Sequence, residues 1–234
     1  MEMRHKINVR GKIIPNDYKF FYDWLEEDST CPRDIQKVLD ASQPGDDVEV
    51  YINSPGGVID AGSEIYTLLR TAAETRNVTV YITGEACSAA SVIAMSGTEV
   101  LMAPTALMMV HCVSTCVAGN HNDMEHMAEV LQTADNALCT AYMAKANMTR
   151  EDALEMMEHE TWLTAEQAKE KGLIDGIMFE QSKELPMVAA DGSFKLPTLE
   201  QLERVRMLLE KEEVTDETEL VQAKLNLIKH RLVD

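Results

Sequence analysis

The chain predicts an α/β fold on a largely parallel sheet. Three observations carry this. Short β-branched runs recur at 48–52 and 78–82, and each leads through a Gly-containing turn into a stretch with helical apolar spacing. Further short strands are expected near 99–102 and 107–111. The alternation of strand and helix is the pattern of layered α/β domains, whose ligands gather at strand C-terminal ends.

The elements follow in order. Residues 7–14 alternate like a strand. Residues 17–28 carry Phe20, Phe21, Trp24 and Leu25 at helical spacing, which predicts an apolar helix face. A second helix is expected at 33–41, ending in the Ser-Gln-Pro-Gly-Asp-Asp turn at 42–47. Strand 48–52 runs into a Ser-Pro-Gly-Gly turn, and 58–75 reads as a helix with Ile59, Ile65, Leu68 and Leu69 on its apolar side. After strand 78–82, residues 84–88 read as a turn and 89–96 as a helix of small residues. One long helical pattern covers 122–147, with Met124, Met127, Val130, Leu131, Leu138 and Met143. Thr149 with Asp152, and Thr164 with Gln167, have the spacing of capping boxes, the second helix ending at Gly172.

Beyond about Asp191 the character changes. Helices are expected at 198–212 and 216–232, separated by the acidic stretch 210–219. That stretch reads as a solvated hinge or as part of a partner-binding tail. The expected division is a domain at 1–190 and an acidic helical extension at 191–234.

Composition narrows the function. A hydrophobic content of 45% in 234 residues is enough for a real core, and 15 Met beside 5% aromatics makes that core aliphatic and thioether-rich. The formal net charge of −19 repels phosphate backbones, so nucleic acid is not an expected partner. The five cysteines form no disulfide framework, and neither a signal region nor an apolar membrane-spanning stretch is apparent, which suits a reducing cytoplasm.

Chemistry concentrates in three segments: Tyr-Ile-Asn-Ser-Pro-Gly-Gly at 51–57, Gly-Glu-Ala-Cys-Ser at 84–88 and Met-Val-His at 109–111. Ser88 falls between a strand and a helix, where backbone N–H groups favour an oxyanion; an ordinary N-cap serine would look the same. Ser91 and Cys87 are weaker nucleophile candidates. His111 is the one histidine at the end of an apolar strand, the others having polar surroundings. Gly56-Gly57 leaves backbone N–H groups unshielded, which suits an oxyanion hole or simply a tight turn. These are the parts of a serine hydrolase. A metal site from His111, Cys112, Cys116, His121 and His126 is a poor rival, because the spacings lack the paired ligands of zinc sites. Neither a metal nor a cofactor is expected.

Those motifs, together with Leu-Thr-Ala-x-x-Ala-x-x-x-Gly-Leu-Ile-Asp at 163–175, resemble the Clp protease proteolytic subunit (ClpP) family over residues 7–178. The resemblance implies a ClpP/crotonase-like fold of stacked ββα units and a serine endopeptidase that works through an acyl-enzyme. It implies Ser88 as nucleophile, His111 as base, Glu160 as the acid, and Gly57 and Ala89 as oxyanion donors. Glu160 stands where the family has Asp, and Ala89-Ala90 where it has Met-Gly. A ring-shaped homo-oligomer acting on polypeptides is also implied, with helix 122–147 as a contact between rings. The chain begins almost at its first strand, without the family's axial-loop segment, and gains the helical tail. That pattern resembles the ClpP-related head maturation proteases of tailed phages, which trim capsid and scaffold proteins in the host cytoplasm. The alternatives are an ATPase-coupled proteolytic subunit served by an AAA+ unfoldase, a crotonase-like acyl-CoA hydratase or isomerase, and a non-catalytic assembly protein.

Overall fold

The computed structural model of the chain describes residues 3–180 and Arg204. By its contacts the chain divides into Met1–Gln181 and Ser182–Asp234. The domain boundary near 190 and the helices expected at 198–212 and 216–232 lie outside the described residues, Arg204 apart.

The first unit runs β1 (Arg4–Ile13), a single 3-10 turn, α1 (Lys19–Trp24), β2 (Ser29–Thr30), α2 (Pro32–Ala41), β3 (Asp47–Gly57), α3 (Ile59–Ala72), β4 (Asn77–Cys87) and α4 (Ala89–Ala94). It continues β5 (Glu99–Met102), β6 (Leu107–Val110), α5 (His121–Ala146), α6 (Arg150–Glu158), β7 (Thr161–Leu163), α7 (Ala165–Glu170) and β8 (Gly176–Ile177). The main sheet has the order β2-β1-β3-β4-β5-β8 and is parallel throughout. Burial alternates along β1 and β3, so one face of these strands packs into the core. Ile7, Val9, Val48, Val50, Ile52, Val78, Val80 and Ile82 are buried against Ile65 and Leu69 of α3.

β4 serves two neighbours. Thr79–Ile82 pair with β5, while Glu85–Cys87 pair with β6, which in turn pairs antiparallel with β7. The split occurs at an irregularity against β3, where Ile52↔Ile82 is followed by Ser54↔Ala86. Asn53 fills the bulge: its Oδ1 accepts the Glu85 N–H at 3.1 Å, and Thr83 Oγ1 donates to the Ile52 carbonyl at 3.1 Å. Gly84 packs directly on the Asn53 side chain, where a Cβ has no room.

Three expectations need correcting. Residues 54–57 and 84–87 are not turns but continuations of β3 and β4, whose pairing outlasts their apolar pattern. The helix expected at 17–28 shrinks to α1, and its aromatic face is solvent-exposed, with Phe20 75% and Trp24 76% accessible. Spacing identified the helix, but this unit supplies nothing to bury that stripe. Both capping boxes form, Thr149 accepting from the Asp152 N–H and Thr164 from the Gln167 N–H.

Candidate active site

β3 and β4 end side by side, and the site is assembled at their C-terminal ends. Ser88 follows β4 directly and precedes α4, with φ 55 and ψ −127. This is a left-handed conformation that a non-glycine residue adopts only when its surroundings enforce it, at a cost of about 1–3 kcal/mol. Ser88 N–H donates to the Met109 carbonyl of β6 at 2.9 Å, and the Ser88 carbonyl accepts from the Ser91 and Val92 N–H groups.

His111 follows β6. Its Nε2 lies 2.8 Å from Ser88 Oγ. Both residues are half-buried. The chain beyond His111 is tied down twice: Cys112 N–H donates to the Met157 carbonyl at 3.0 Å, and Val113 N–H to Asp135 Oδ1 at 2.7 Å. Asp135, on α5, is buried. With burial, its charge pushes the Cys112 thiol up to about 11. No feature of the 122–147 periodicity marks Asp135; its value lies in the segment it meets.

Gly57 and Ala89 line a cavity of about 60 Å³ together with Ser88 and His111. Ala89 is the first residue of α4, so its N–H has no partner within the helix. Gly56 and Gly57 both have positive φ, 96 and 154. Ser54, fully buried, fixes this stretch: its Oγ donates to the Gly11 carbonyl at 2.6 Å and accepts the Gly56 N–H at 3.1 Å. The cavity opens onto a groove of about 550 Å³ that shares Gly57, Ile59, Val113 and Ser114 with it and adds Val58, Met127 and Leu131. A depression of about 440 Å³ beside α6, lined among others by Asp152, Glu155, His159, Thr161 and Lys171, includes neither Ser88 nor His111.

Glu160 is not joined to His111. It is exposed at the turn between α6 and β7, with φ 46, and its Oε1 accepts the Trp162 Nε1–H at 3.4 Å. The strand register bears on its place along the chain. The β6–β7 ladder pairs Met108↔Leu163, Met109↔Trp162 and Val110↔Thr161, so the next step faces His111 with Glu160.

The weaker candidates are placed elsewhere. Ser91 is fully buried and bonded to Tyr142, away from any substrate. Cys87 is buried, and desolvation together with the nearby Glu85 charge pushes its thiol up to about 12, so it is no nucleophile at neutral pH. Among the described residues His111, Cys112, Cys116, His121 and His126 gather into no metal-binding cluster. No helix among them is long and apolar enough to cross a membrane.

A hydroxyl on a strained strand-to-helix turn, hydrogen-bonded to an imidazole beside unshielded N–H groups, is the arrangement of a serine-type peptidase. The family profile for Clp protease matches residues 33–181, well over half of the chain, and the chain belongs to that family. It is similar to the ATP-dependent Clp protease proteolytic subunit 1 of Chlamydia abortus, 29% identical over 187 residues, covering 76% of this chain and 95% of the relative. Subunit 1 of Chlamydia pneumoniae is 30% identical over 75% of this chain and 94% of its own length. The ATP-dependent Clp protease proteolytic subunit of Bacteroides fragilis is 30% identical over 61% and 69%. The mixed α/β architecture with its parallel sheet is that of the ClpP/crotonase-like fold.

Proposed function

We propose that Ser88 hydrolyses peptide bonds through an acyl-enzyme and that the chain processes capsid or scaffold protein during head maturation of a tailed phage. The 2.8 Å contact between Ser88 Oγ and His111 Nε2 carries the catalytic part. His111 takes the Ser88 proton as Oγ attacks the scissile carbonyl. The N–H groups of Gly57 and Ala89 receive the oxyanion, each donor contributing about 3–4 kcal/mol. His111 then protonates the leaving amine, and water releases the acyl group by the reverse sequence. Glu160 completes the triad by a side-chain rotation that exchanges Trp162 Nε1 for His111 Nδ1.

The maturation role is supported by the length of chain beyond the family match, which ends at 181 of 234 residues. The substrate groove, with Val58 and Met127 among its lining residues, accepts an extended chain with apolar side chains. The exposed Met124 and Val130 on α5 support assembly into a ring-shaped homo-oligomer. The host cytoplasm is the proposed setting. A second reading, an ATP-dependent proteolytic subunit, is favoured by the names of the curated relatives. The family match speaks against acyl-CoA chemistry and against a purely structural role.

Fluorogenic peptide hydrolysis and fluorophosphonate labelling test the chemistry. The wild-type chain should do both and Ser88→Ala neither; full hydrolysis by a clean Ser88→Ala preparation removes Ser88 from the mechanism. Co-expression with a phage capsid and scaffold pair tests the role. Cleavage of those proteins without ATP supports maturation, whereas cleavage of unfolded proteins only with an added unfoldase and ATP supports the second reading.

A further inference from the structure

Tyr142 and Ser91 are the buried polar side chains nearest the nucleophile that the chemistry above leaves unused. Ser91, in α4, is fully buried, and Tyr142, in α5, is 2% exposed. Ser91 Oγ lies 2.6 Å from the Ser88 carbonyl oxygen and 2.8 Å from Tyr142 Oη. A carbonyl can only accept, so the single Ser91 hydroxyl proton points to Ser88. The phenol proton of Tyr142 must then point to Ser91 Oγ. Burial raises the Tyr142 pKa, which keeps that proton in place at neutral pH. The order is fixed: Tyr142 donates to Ser91, and Ser91 donates to the backbone of Ser88.

A buried serine that bonds back one turn is common in helices, and a buried tyrosine usually finds some partner. What separates this pair is the carbonyl it ends on. That carbonyl belongs to the residue held at φ 55, whose backbone aims Oγ at His111. The Tyr142 side chain also lines the same small cavity as Ser88 and His111.

We propose that Tyr142 is a positioning residue, acting through Ser91 to hold the Ser88 peptide in its left-handed turn and so to keep Oγ on the His111 axis. The proposal rests on the protease reading of Ser88. Without the phenol proton, the Ser91 hydroxyl is free to reorient, and the Ser88 peptide loses its shortest restraint. The backbone then relaxes toward an ordinary conformation for part of the time. The lining of the groove includes neither residue, so the defect falls on turnover more than on binding.

Tyr142→Phe removes one oxygen and keeps the ring. It should lower kcat about tenfold with KM unchanged, and slow fluorophosphonate labelling of Ser88 by the same factor. Ser91→Ala should give the same split, and Tyr142→Phe added to Ser91→Ala should cost nothing further. A role in packing alone predicts a lower melting temperature with normal kcat in each variant. Wild-type kcat and labelling in Tyr142→Phe, or additivity in the double variant, overturns the proposal while leaving the protease reading intact. If Tyr142→Phe fails to fold, Ser91→Ala decides by the same split. A wild-type chain that neither cleaves peptide nor takes the label overturns the protease reading, and the positioning role falls with it.

Discussion

Gly56→Ala tests whether the glycine pair exists for close backbone approach or only for exposed N–H groups. A Cβ at Gly56 would lie 2.6 Å from the Cys87 carbonyl oxygen, 2.6 Å from Ser88 Cβ and 3.1 Å from Ala89 N, at φ +96. Two of those three obstacles are backbone atoms of the nucleophile turn, which cannot swing aside as the end of a long side chain can. Two costs therefore add: about 1–3 kcal/mol for the left-handed conformation and about 1–3 kcal/mol for overpacking.

Gly45 supplies the control. Its φ is +91, and a Cβ there meets nothing within 4 Å. Gly45→Ala bears the conformational cost alone, and the loss of unfolded-state freedom is common to both variants and cancels. In a domain of this size 1 kcal/mol corresponds to about 2–4 °C, so Gly56→Ala should melt about 2–12 °C below Gly45→Ala. Displacing Ser88 by up to about 1 Å should also reduce peptide hydrolysis by as much as about 100-fold, with Gly45→Ala near wild type. Thermal melts by circular dichroism, where the overpacking cost alone spans about 2–12 °C, and a fluorogenic peptide assay measure both quantities. If the two variants melt together and both stay active, the reasoning from backbone contact is refuted.

Asp135→Ala leaves the Val113 N–H unpaired and should cost about 1–3 kcal/mol in a melt, whereas Asp135→Asn keeps an acceptor and should lose less. Asp135→Asn should also lower the Cys112 pKa from about 11 by removing a nearby negative charge, read as faster iodoacetamide capture at pH 8–9. Glu160→Gln should reduce kcat at least tenfold if its carboxylate rotates onto His111, and Trp162→Phe, which releases that carboxylate, should not; an unchanged Glu160→Gln rate assigns His111 orientation to the backbone alone. The Cys87 thiol, pushed up to about 12, stays neutral at pH 8, so exposed Cys116 should alkylate far faster in a mass-spectrometric time course.

Much of this site is legible in the chain because its determinants are local. β-branched runs specify β3 and β4, and Thr149-x-x-Asp152 and Thr164-x-x-Gln167 specify helix starts by side chains that reach only three residues. What was missed depends on pairing between distant segments. β3 and β4 continue past their apolar runs because Ser54 bonds to Gly11 and Asn53 to Glu85, contacts that no periodicity announces. The exposed face of α1 has the spacing of a core helix without a core to meet. Glu160 points to Trp162, two residues on, from a backbone of positive φ, and neither feature is announced by the motif around it.

The meeting of Ser88 and His111 is a consequence of register. β4 and β6 pair Cys87↔Met109, and the bond from Ser88 N–H to the Met109 carbonyl locks the next residue of β4 to that position. His111 lies two residues beyond Met109, and side chains repeat every second residue along a strand, so it emerges on the face that Met109 occupies. A slip of one residue would present Val110 or Cys112 to Ser88 instead, and would turn buried Met108 and Val110 outward. The apolar alternation of β6, which looks like an instruction for burial only, therefore also selects which side chain reaches the nucleophile. Ser88 makes both the N–H bond to β6 and the Oγ contact to His111 with its backbone at φ 55. Its left-handed turn, wedged by Gly56 and held by Ser91, is the geometric cost of satisfying both.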